Sequence, residues 1–491
     1  MKQISISDIL RGENTEEKIV VGAQMQVPKA FISKTLLEKM TKDLTVKEII
    51  PTIKKYDEET GAIRETHFTN KIPNTFRLLE DAGDYYMIPR SYGFSIFKNY
   101  EYLDLMTDAF LPESEQYNFA GTLRDYQIPI VDSIKDKIKE GKTSLMLRLD
   151  TGFGKTPIAL YLTAMLNRKA IIFVDREILF EQWIDAIIKF THIRPGVIHR
   201  QKIDCSKPIT IAMVQSFHRK EFSDEILNGW GVVVFDEAKS LPASSYINIV
   251  KDLPARYRVM LCADFKRTDG LLEITHLHAG KETVNGVLMR TGIAYIVQIA
   301  SGLNEKHFHY VDYKTGNLTF SDIKCKKVFL NNRKVLSKFI DLIANRYLTD
   351  KSRTILVVLP FRDSVKFAKQ DMEKKLYGVC IQSIMGNATK KERESIKDAQ
   401  IIVTTDKYLD KGYDNDKIDT AFLFNQGSNP YQILGRLRKG QMKNELQIID
   451  FRVTDISEYK NRIERVRRIY EKAGFVSNIM DAESFSFIAK E

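Results

Sequence analysis

The chain opens with short apolar runs broken by turn residues. From residue 118 onward it changes to long, unbroken apolar runs separated by amphipathic stretches. In the first part Lys18–Pro28, Gly61–Thr69 and Tyr85–Phe97 carry a β-like pattern, with one helical stretch at Leu36–Met40. An aliphatic-Pro-basic-x-aromatic echo occurs there twice, at Val27, Pro28, Lys29 and Phe31 and again at Ile88, Pro89, Arg90 and Tyr92. In the second part the runs have no polar alternation, as in strands covered on both faces. They are Ser144–Leu149, Ala170–Val174, Ile209–Val214, Val232–Phe235 and Val259–Ala263, then Thr354–Leu359, Ile401–Thr404, Ala421–Asn425 and Gln447–Phe451. Strands alternating with helices predict parallel sheets, and the long gap between the two series predicts two α/β lobes. Within that gap Phe308–Tyr313 and Leu318–Ile323 flank Lys314-Thr-Gly-Asn317, the pattern of a β-hairpin. The expected division is an accessory region at 1–115, a first lobe at 116–272, an inter-lobe segment with the hairpin at 273–330 and a second lobe at 331–491.

Composition narrows the class. Of the 491 residues, 43% are hydrophobic and 28% charged, which excludes global disorder and fibrous architectures. Lysine plus arginine outnumber aspartate plus glutamate by 75 to 64, and the net charge of +11 favours a polyanionic partner. The four cysteines, at 205, 262, 325 and 380, form no CxxC pair, so neither a disulfide framework nor a zinc knuckle is expected. No apolar run approaches the ~18 residues of a membrane span, and the expectation is a cytoplasmic protein without a membrane partner. His276-x-His278 and His307-x-His309 would share a face if each pair lay on a strand, but no acid or thiol cluster completes a metal site around them.

The sharpest local signal is Leu149-Asp-Thr-Gly-Phe-Gly-Lys-Thr156, between a buried strand and the helical run Pro157–Leu166. Gly152 and Gly154 let backbone N–H groups curl around a polyphosphate at the positive end of a helix. Lys155 would then reach the β and γ phosphates, and the Thr156 hydroxyl would ligate magnesium. A second strand ends in an acidic pair, Val232-Val-Val-Phe-Asp-Glu-Ala-Lys239. Two carboxylates after an apolar run are on their own an ordinary solvated strand end. Beside a phosphate loop, Asp236 becomes a candidate for the magnesium shell and Glu237 for orienting the attacking water. ATP and Mg2+ are the expected cofactors.

These two motifs, with others at the expected intervals, resemble a superfamily 2 helicase, in particular the UvsW-type branch-migration helicases of phages and the transcript-release helicases of poxviruses. Leu123-Arg-Asp-Tyr-Gln127 resembles the adenine-recognising Q motif, and Phe173-Val-Asp-Arg-Glu-Ile-Leu-Phe-Glu-Gln-Trp183 resembles motif Ia. Val214-Gln-Ser216 stands where a further strand-contacting motif falls, and Arg267-Thr-Asp-Gly270 matches the tail of motif III. Gly386–Arg393 resembles motif IVa, Thr404-Thr-Asp406 through Gly412-Tyr-Asp414 motif V, and Gln432-Ile-Leu-Gly-Arg-Leu-Arg438 motif VI. The resemblance spans 120–455 and leaves the N-terminal region uncovered. Lys239 ends motif II where histidine or aspartate is usual, Leu261-Cys-Ala-Asp-Phe265 departs from the usual motif III, and Lys439 takes the third basic position of motif VI.

The resemblance implies two tandem RecA-like parallel-sheet lobes of the P-loop NTPase type; the β-like runs that precede them are expected to form a smaller β-rich N-terminal domain that engages branched or duplex DNA. The resemblance places Arg124, Gln127, Gly412, Asp414 and Gln432 at the nucleotide and offers Arg436 and Arg438 as the finger that neutralises charge on the transferring phosphoryl group. Arg176, Gln215, Ser216, Lys390 and Thr405 would engage phosphates of the strand. The implied activity is ATP-dependent unwinding or branch migration of DNA: forks, Holliday junctions and single strands. RNA release stays open as the alternative, and the altered motif III raises an ATP-gated DNA clamp as another. The basic segment Ser457–Ala473, with its apolar stripe of Ile463, Val466, Ile469 and Tyr470, reads as a helix packed on the second lobe with a charged exterior, with a DNA-facing basic helix as the alternative.

Overall fold

The structure, a computed structural model, describes residues 18–485 apart from 51, 57–62, 68–71, 241–242, 266, 268, 282, 289, 312–317, 332, 386–387, 389–391, 393–395, 397, 410–416, 425, 427–429, 431–433, 435–436, 438–443 and 484. The chain divides into two compact units, the first holding 1–54 and 64–287 and the second 55–63 and 288–491.

The N-terminal region holds β1 (Ile19–Val21), β2 (Met25–Pro28), β3 (Thr45–Lys47), β4 (Thr52–Tyr56), β5 (Ile63–His67), β6 (Thr75–Arg77), β7 (Glu80–Ala82), β8 (Tyr85–Ile88) and β9 (Tyr102–Asp104). Five of these form one sheet in the order β7-β8-β2-β1-β9, while β3 pairs with β6. The run expected as β-like at Tyr85–Phe97 is half strand and half helix, because Pro89 caps a helix at Arg90–Ile96. Pro28 does the same for a 3-10 turn at Lys29–Phe31, with nearly the same backbone angles. The echoed sequence is therefore an echoed strand-Pro-turn unit, and its two strands, β2 and β8, pair antiparallel.

The lobe that follows contains β10 (Ser144–Leu149), β11 (Ala170–Val174), β12 (Gly196–His199), β13 (Lys202–Asp204), β14 (Ile209–Met213), β15 (Val232–Phe235), β16 (Tyr257–Cys262) and β17 (Thr283–Gly286). Their order is β13-β12-β14-β11-β15-β16-β10-β17, parallel throughout except for the β12–β13 hairpin. β11, β14 and β15 are buried at every position, as strands sandwiched between helices must be. The N-terminal sheet is not insulated from this lobe. Ile19, Val21, Met25, Val27 and Ile88 join one core with Tyr246, Ile249, Val250, Leu253, Leu271 and Ile274.

The second unit carries β18 (Gly292–Ile299), β19 (His309–Val311), β20 (Leu318–Phe320), β21 (Ile355–Leu359), β22 (Ile381–Ile384), β23 (Ile401–Thr405), β24 (Thr420–Leu423), β25 (Leu446–Val453) and β26 (Phe475–Asp481). Seven form an all-parallel sheet in the order β22-β23-β21-β24-β25-β18-β26. The protein thus has two RecA-like parallel-sheet lobes and a β-rich N-terminal region. β19 and β20 pair antiparallel as the expected hairpin, whose turn lies outside the described residues.

Two expectations need correction. The segment 273–330 is not an independent connector: β17 completes the first sheet beside β10, and β18 lies inside the second beside β25. His276 and His278 do not share a strand face, since they sit on the helix Leu272–Ala279, where residues two apart diverge. His276 instead contacts Glu273 one turn earlier, at 3.3 Å. The helix Ser457–Lys472 buries Tyr459, Ile463, Val466 and Tyr470 in the second lobe, while Arg467 pairs outward with Glu464 and Glu471. Among the described residues no helix is long and apolar enough to cross a membrane.

Candidate active site

The site lies at the carboxyl ends of the first lobe's strands, where parallel α/β sheets bind ligands. β10 leads into the loop 150–154, and a helix begins at Lys155 and runs to Leu166. Gly152 and Gly154 both have left-handed backbones, with φ of 87° and 96°. At Gly154 a side chain is excluded twice, because a Cβ would also lie 2.3 Å from Gln127 Nε2. Gln127 is buried there, donating to Phe153 O at 2.8 Å and accepting from Arg124 N at 2.8 Å. The residue expected to touch adenine thus holds the loop in shape. Arg124 Nη1 donates to Tyr126 OH at 2.7 Å, and the Tyr126 ring packs edge-on against Phe153.

Strand order explains how the loop meets the acids. β10 and β15 are both neighbours of β16, so one strand separates the phosphate loop from Asp236 and Glu237. Lysine is long enough to cross that gap, and Lys155 Nζ stands 3.1 Å from Glu237 Oε1. Cys262, at the end of β16, lies beneath the crossing, with its Sγ 3.9 Å from Glu237 Oε2 and 3.1 Å from Asp264 O. Asp236 is buried: its Oδ2 accepts from Trp183 Nε1 at 2.8 Å and its Oδ1 from Glu237 N at 3.0 Å. Glu237 has a left-handed backbone, φ 48°, which costs a residue with a Cβ and must be imposed by its surroundings.

The electrostatics separate the two acids. Burial, and then the charge of Glu237, push Asp236 up to about 6, against the opposing pull of Lys155 and the Trp183 donor. Burial would raise Glu237 too, but the Lys155 charge and hydrogen bond outweigh it and hold Glu237 below the usual carboxylate range. Burial would lower Lys155, yet Glu237 and Asp236 keep its ammonium above the ordinary value. A buried carboxylate resisting ionisation beside a second carboxylate is a site that a divalent cation relieves. The residues fit magnesium and a polyphosphate: Asp236 and Thr156, the second residue of the helix, would hold the metal, and Lys155 with the helix N-terminus the phosphates.

Of the expected strand contacts, Arg176, Gln215 and Ser216 fall on the same rim. β11 and β14 are adjacent, and Gln215 Nε2, just past β14, donates to Asp175 O just past β11 at 2.9 Å. Arg176 follows Asp175, and Ser216 Oγ accepts from Arg200 N at 2.9 Å. Arg176, Gln215 and Ser216 are therefore brought together, with Arg200 beside them. Arg200 was not visible in the sequence because the β12–β13 hairpin that carries it has no strong apolar pattern. It is 77% exposed, has a left-handed backbone and contacts Glu177 at 3.3 Å. Trp183 and Cys262 were missed as site residues too, since their contacts to Asp236 and Glu237 span 53 and 25 positions. In the second lobe Thr405 ends β23. Lys390, Gly412, Asp414, Gln432, Arg436 and Arg438 lie outside the described residues.

Residues 120–267, which hold this whole arrangement, match the family described as Type III restriction enzyme, res subunit. The chain is 22% identical over 458 residues to L396 of Acanthamoeba polyphaga mimivirus, which carries the name of an ATP-dependent RNA helicase; the match covers 90% of this chain and 84% of the relative. It is 24% identical over 366 residues to the transcript termination protein A18 of fowlpox virus, covering 67% of this chain and 75% of the relative. The chain is similar to helicases of large DNA viruses and of a phage. Among solved structures, that of T4 UvsW aligns with 95% of this chain and 99% of its own, at 15% identity and a TM-score of 0.38.

Proposed function

We propose that this protein is an ATP-dependent helicase that acts on DNA, unwinding or branch-migrating forks and Holliday junctions in replication, recombination or repair, in the cytoplasm of an infected host. The observation that carries the reading is the placement of Lys155, Asp236 and Glu237 on one rim, next to Arg176, Gln215 and Ser216. Bound magnesium–ATP supplies the γ-phosphoryl group whose transfer to water is the energy source. Lys155 leaves Glu237 to hold the phosphates, and the freed Glu237 carboxylate orients the attacking water. Trp183 donates to Asp236 and so holds in place the carboxylate that would bind the metal. Arg436, with Arg438, stabilises the charge that develops as the phosphoryl group transfers. Arg176, Gln215, Ser216, Lys390 and Thr405 grip phosphates rather than bases, so the motor runs on any sequence.

The names of the mimivirus and fowlpox relatives favour a second reading, release of RNA from a transcription complex. One panel separates the two: ATP-driven strand separation on forks, Holliday junctions, D-loops and RNA–DNA hybrids at one salt concentration. Forks and junctions should be resolved fastest. Faster displacement from RNA–DNA hybrids would transfer the assignment to RNA release, and binding without turnover on every substrate would mark a nucleotide-gated clamp.

A further inference from the structure

The N-terminal region reaches the catalytic rim at a place no motif predicted. Beyond β3, Glu48 N donates to Asn74 O at 2.8 Å, and Asn74 Nδ2 donates to Glu48 Oε2 at 2.6 Å, fixing the segment 48–49. Ile49 N then donates to Asp269 O at 2.8 Å. Gly270, with φ 72°, lets Ile49 settle against it, since a Cβ there would come within 2.9 Å of Ile49 Cδ1. The Asp269 carboxylate holds Arg267 in a two-pronged pair, Nε to Oδ1 at 3.0 Å and Nη2 to Oδ2 at 2.7 Å. Arg267 Nη1 in turn donates to Lys239 O at 2.6 Å, two residues beyond Glu237. The helix Leu272–Ala279 that follows is gripped at its far end as well, where Ser91 Oγ donates to His278 O at 2.9 Å.

We infer that Asp269 and Arg267 are positioning residues through which the N-terminal segment at Ile49 sets the geometry of Glu237. Glu237 needs such support. Its left-handed backbone is held from inside by the Asp236 carboxylate and by Lys155, but Lys155 leaves when phosphates arrive. The Arg267 bond to Lys239 O then remains as the external brace on the turn. A guanidinium locked by a bidentate carboxylate is stiff enough to transmit a displacement of the Asp269 backbone. Nucleic acid engaged by the N-terminal region therefore adjusts the water-orienting carboxylate, and turnover responds to occupancy of a surface that touches no nucleotide.

This inference rests on the proposed roles of Lys155 and Glu237, and the test keeps the two apart. In the full-length protein Ile49→Pro removes the N–H that bonds Asp269, and Asp269→Asn weakens the Arg267 pair. Each should lower fork-stimulated kcat about five- to tenfold with the KM for ATP within twofold. The double variant should be no worse than the more severe single one, because both break the same chain. Asn74→Ala, which loosens the segment from its other side, carries the test if Ile49→Pro folds poorly. Wild-type kcat in both N-terminal variants, or losses that multiply in the double variant, would overturn the relay. Wild-type hydrolysis by Lys155→Ala would instead overturn the site itself.

Discussion

The first lobe buries charge at both ends of its sheet, and the two ends do opposite things with it. At the carboxyl rim, opposite charges face each other: Lys155 against Glu237, with Asp236 close behind. At the other end the buried charges are alike. Arg90 is 0% exposed and donates to Ala255 O and Arg256 O, and Arg258, 1% exposed, donates to Ala23 O, Val250 O and Leu253 O. The guanidiniums there answer backbone carbonyls, those of Val250 in the last turn of the helix Ala243–Asp252, of Leu253, Ala255 and Arg256 just past it, and of Ala23, and a helix C-terminus is a favourable place for positive charge. These bonds tie β1, β2 and the helix Arg90–Ile96 to the lobe. Charge answered by fixed carbonyls welds two layers together, whereas charge answered by another mobile side chain can be handed to a ligand.

If that contrast is right, substitutions at the rim change chemistry and those at the weld change stability. Lys155→Ala should reduce ATP hydrolysis about 1,000-fold or more, measured by phosphate release, while salt-sensitive DNA binding persists. Arg258→Leu strands three buried carbonyls at ~1 kcal/mol or more each, so urea unfolding should show a loss of about 3 kcal/mol. Gly154→Ala forces a left-handed alanine against Gln127, and the KM for ATP should rise about tenfold to a hundredfold.

The smallest effect is expected at His278, which is fully buried and whose two ring nitrogens have no hydrogen-bond partner among the described residues. Burial, and then the charges of Arg258, Lys251 and Arg90, hold its pKa well below the ordinary value. The unfolded chain takes up this proton near pH 6.5 and the folded one does not, so stability present above that pH is lost as pH falls. His278→Leu should remove up to about 2 kcal/mol of the stability difference between pH 7 and pH 5, read from urea midpoints.

How much was legible follows from the same physics. β11 and β15 begin and end where the unbroken apolar runs do, because a strand covered on both faces cannot alternate. β13 and β26 were not anticipated, for they leave exposed positions that dilute the pattern. Glycines with a lysine between strand and helix exposed the phosphate loop, since few other structures need that string. The partners of Asp236 were hidden, because Trp183 and the strand order that brings it near are set by packing alone. The N-terminal region looked separable because its texture changes at 118. Its core residues nevertheless pack with Tyr246 and Leu253, so removing it would strip the lobe rather than trim it.

The central claim is that Glu237, held by Lys155 until phosphates displace it, orients the water that attacks ATP. Single-turnover hydrolysis by Glu237→Gln, with nucleotide binding followed separately by a fluorescent ATP analogue, tests it most directly. Binding within about threefold of wild type with hydrolysis slowed about 100-fold or more is the predicted result. Hydrolysis within a few-fold of wild type at full nucleotide occupancy would contradict it.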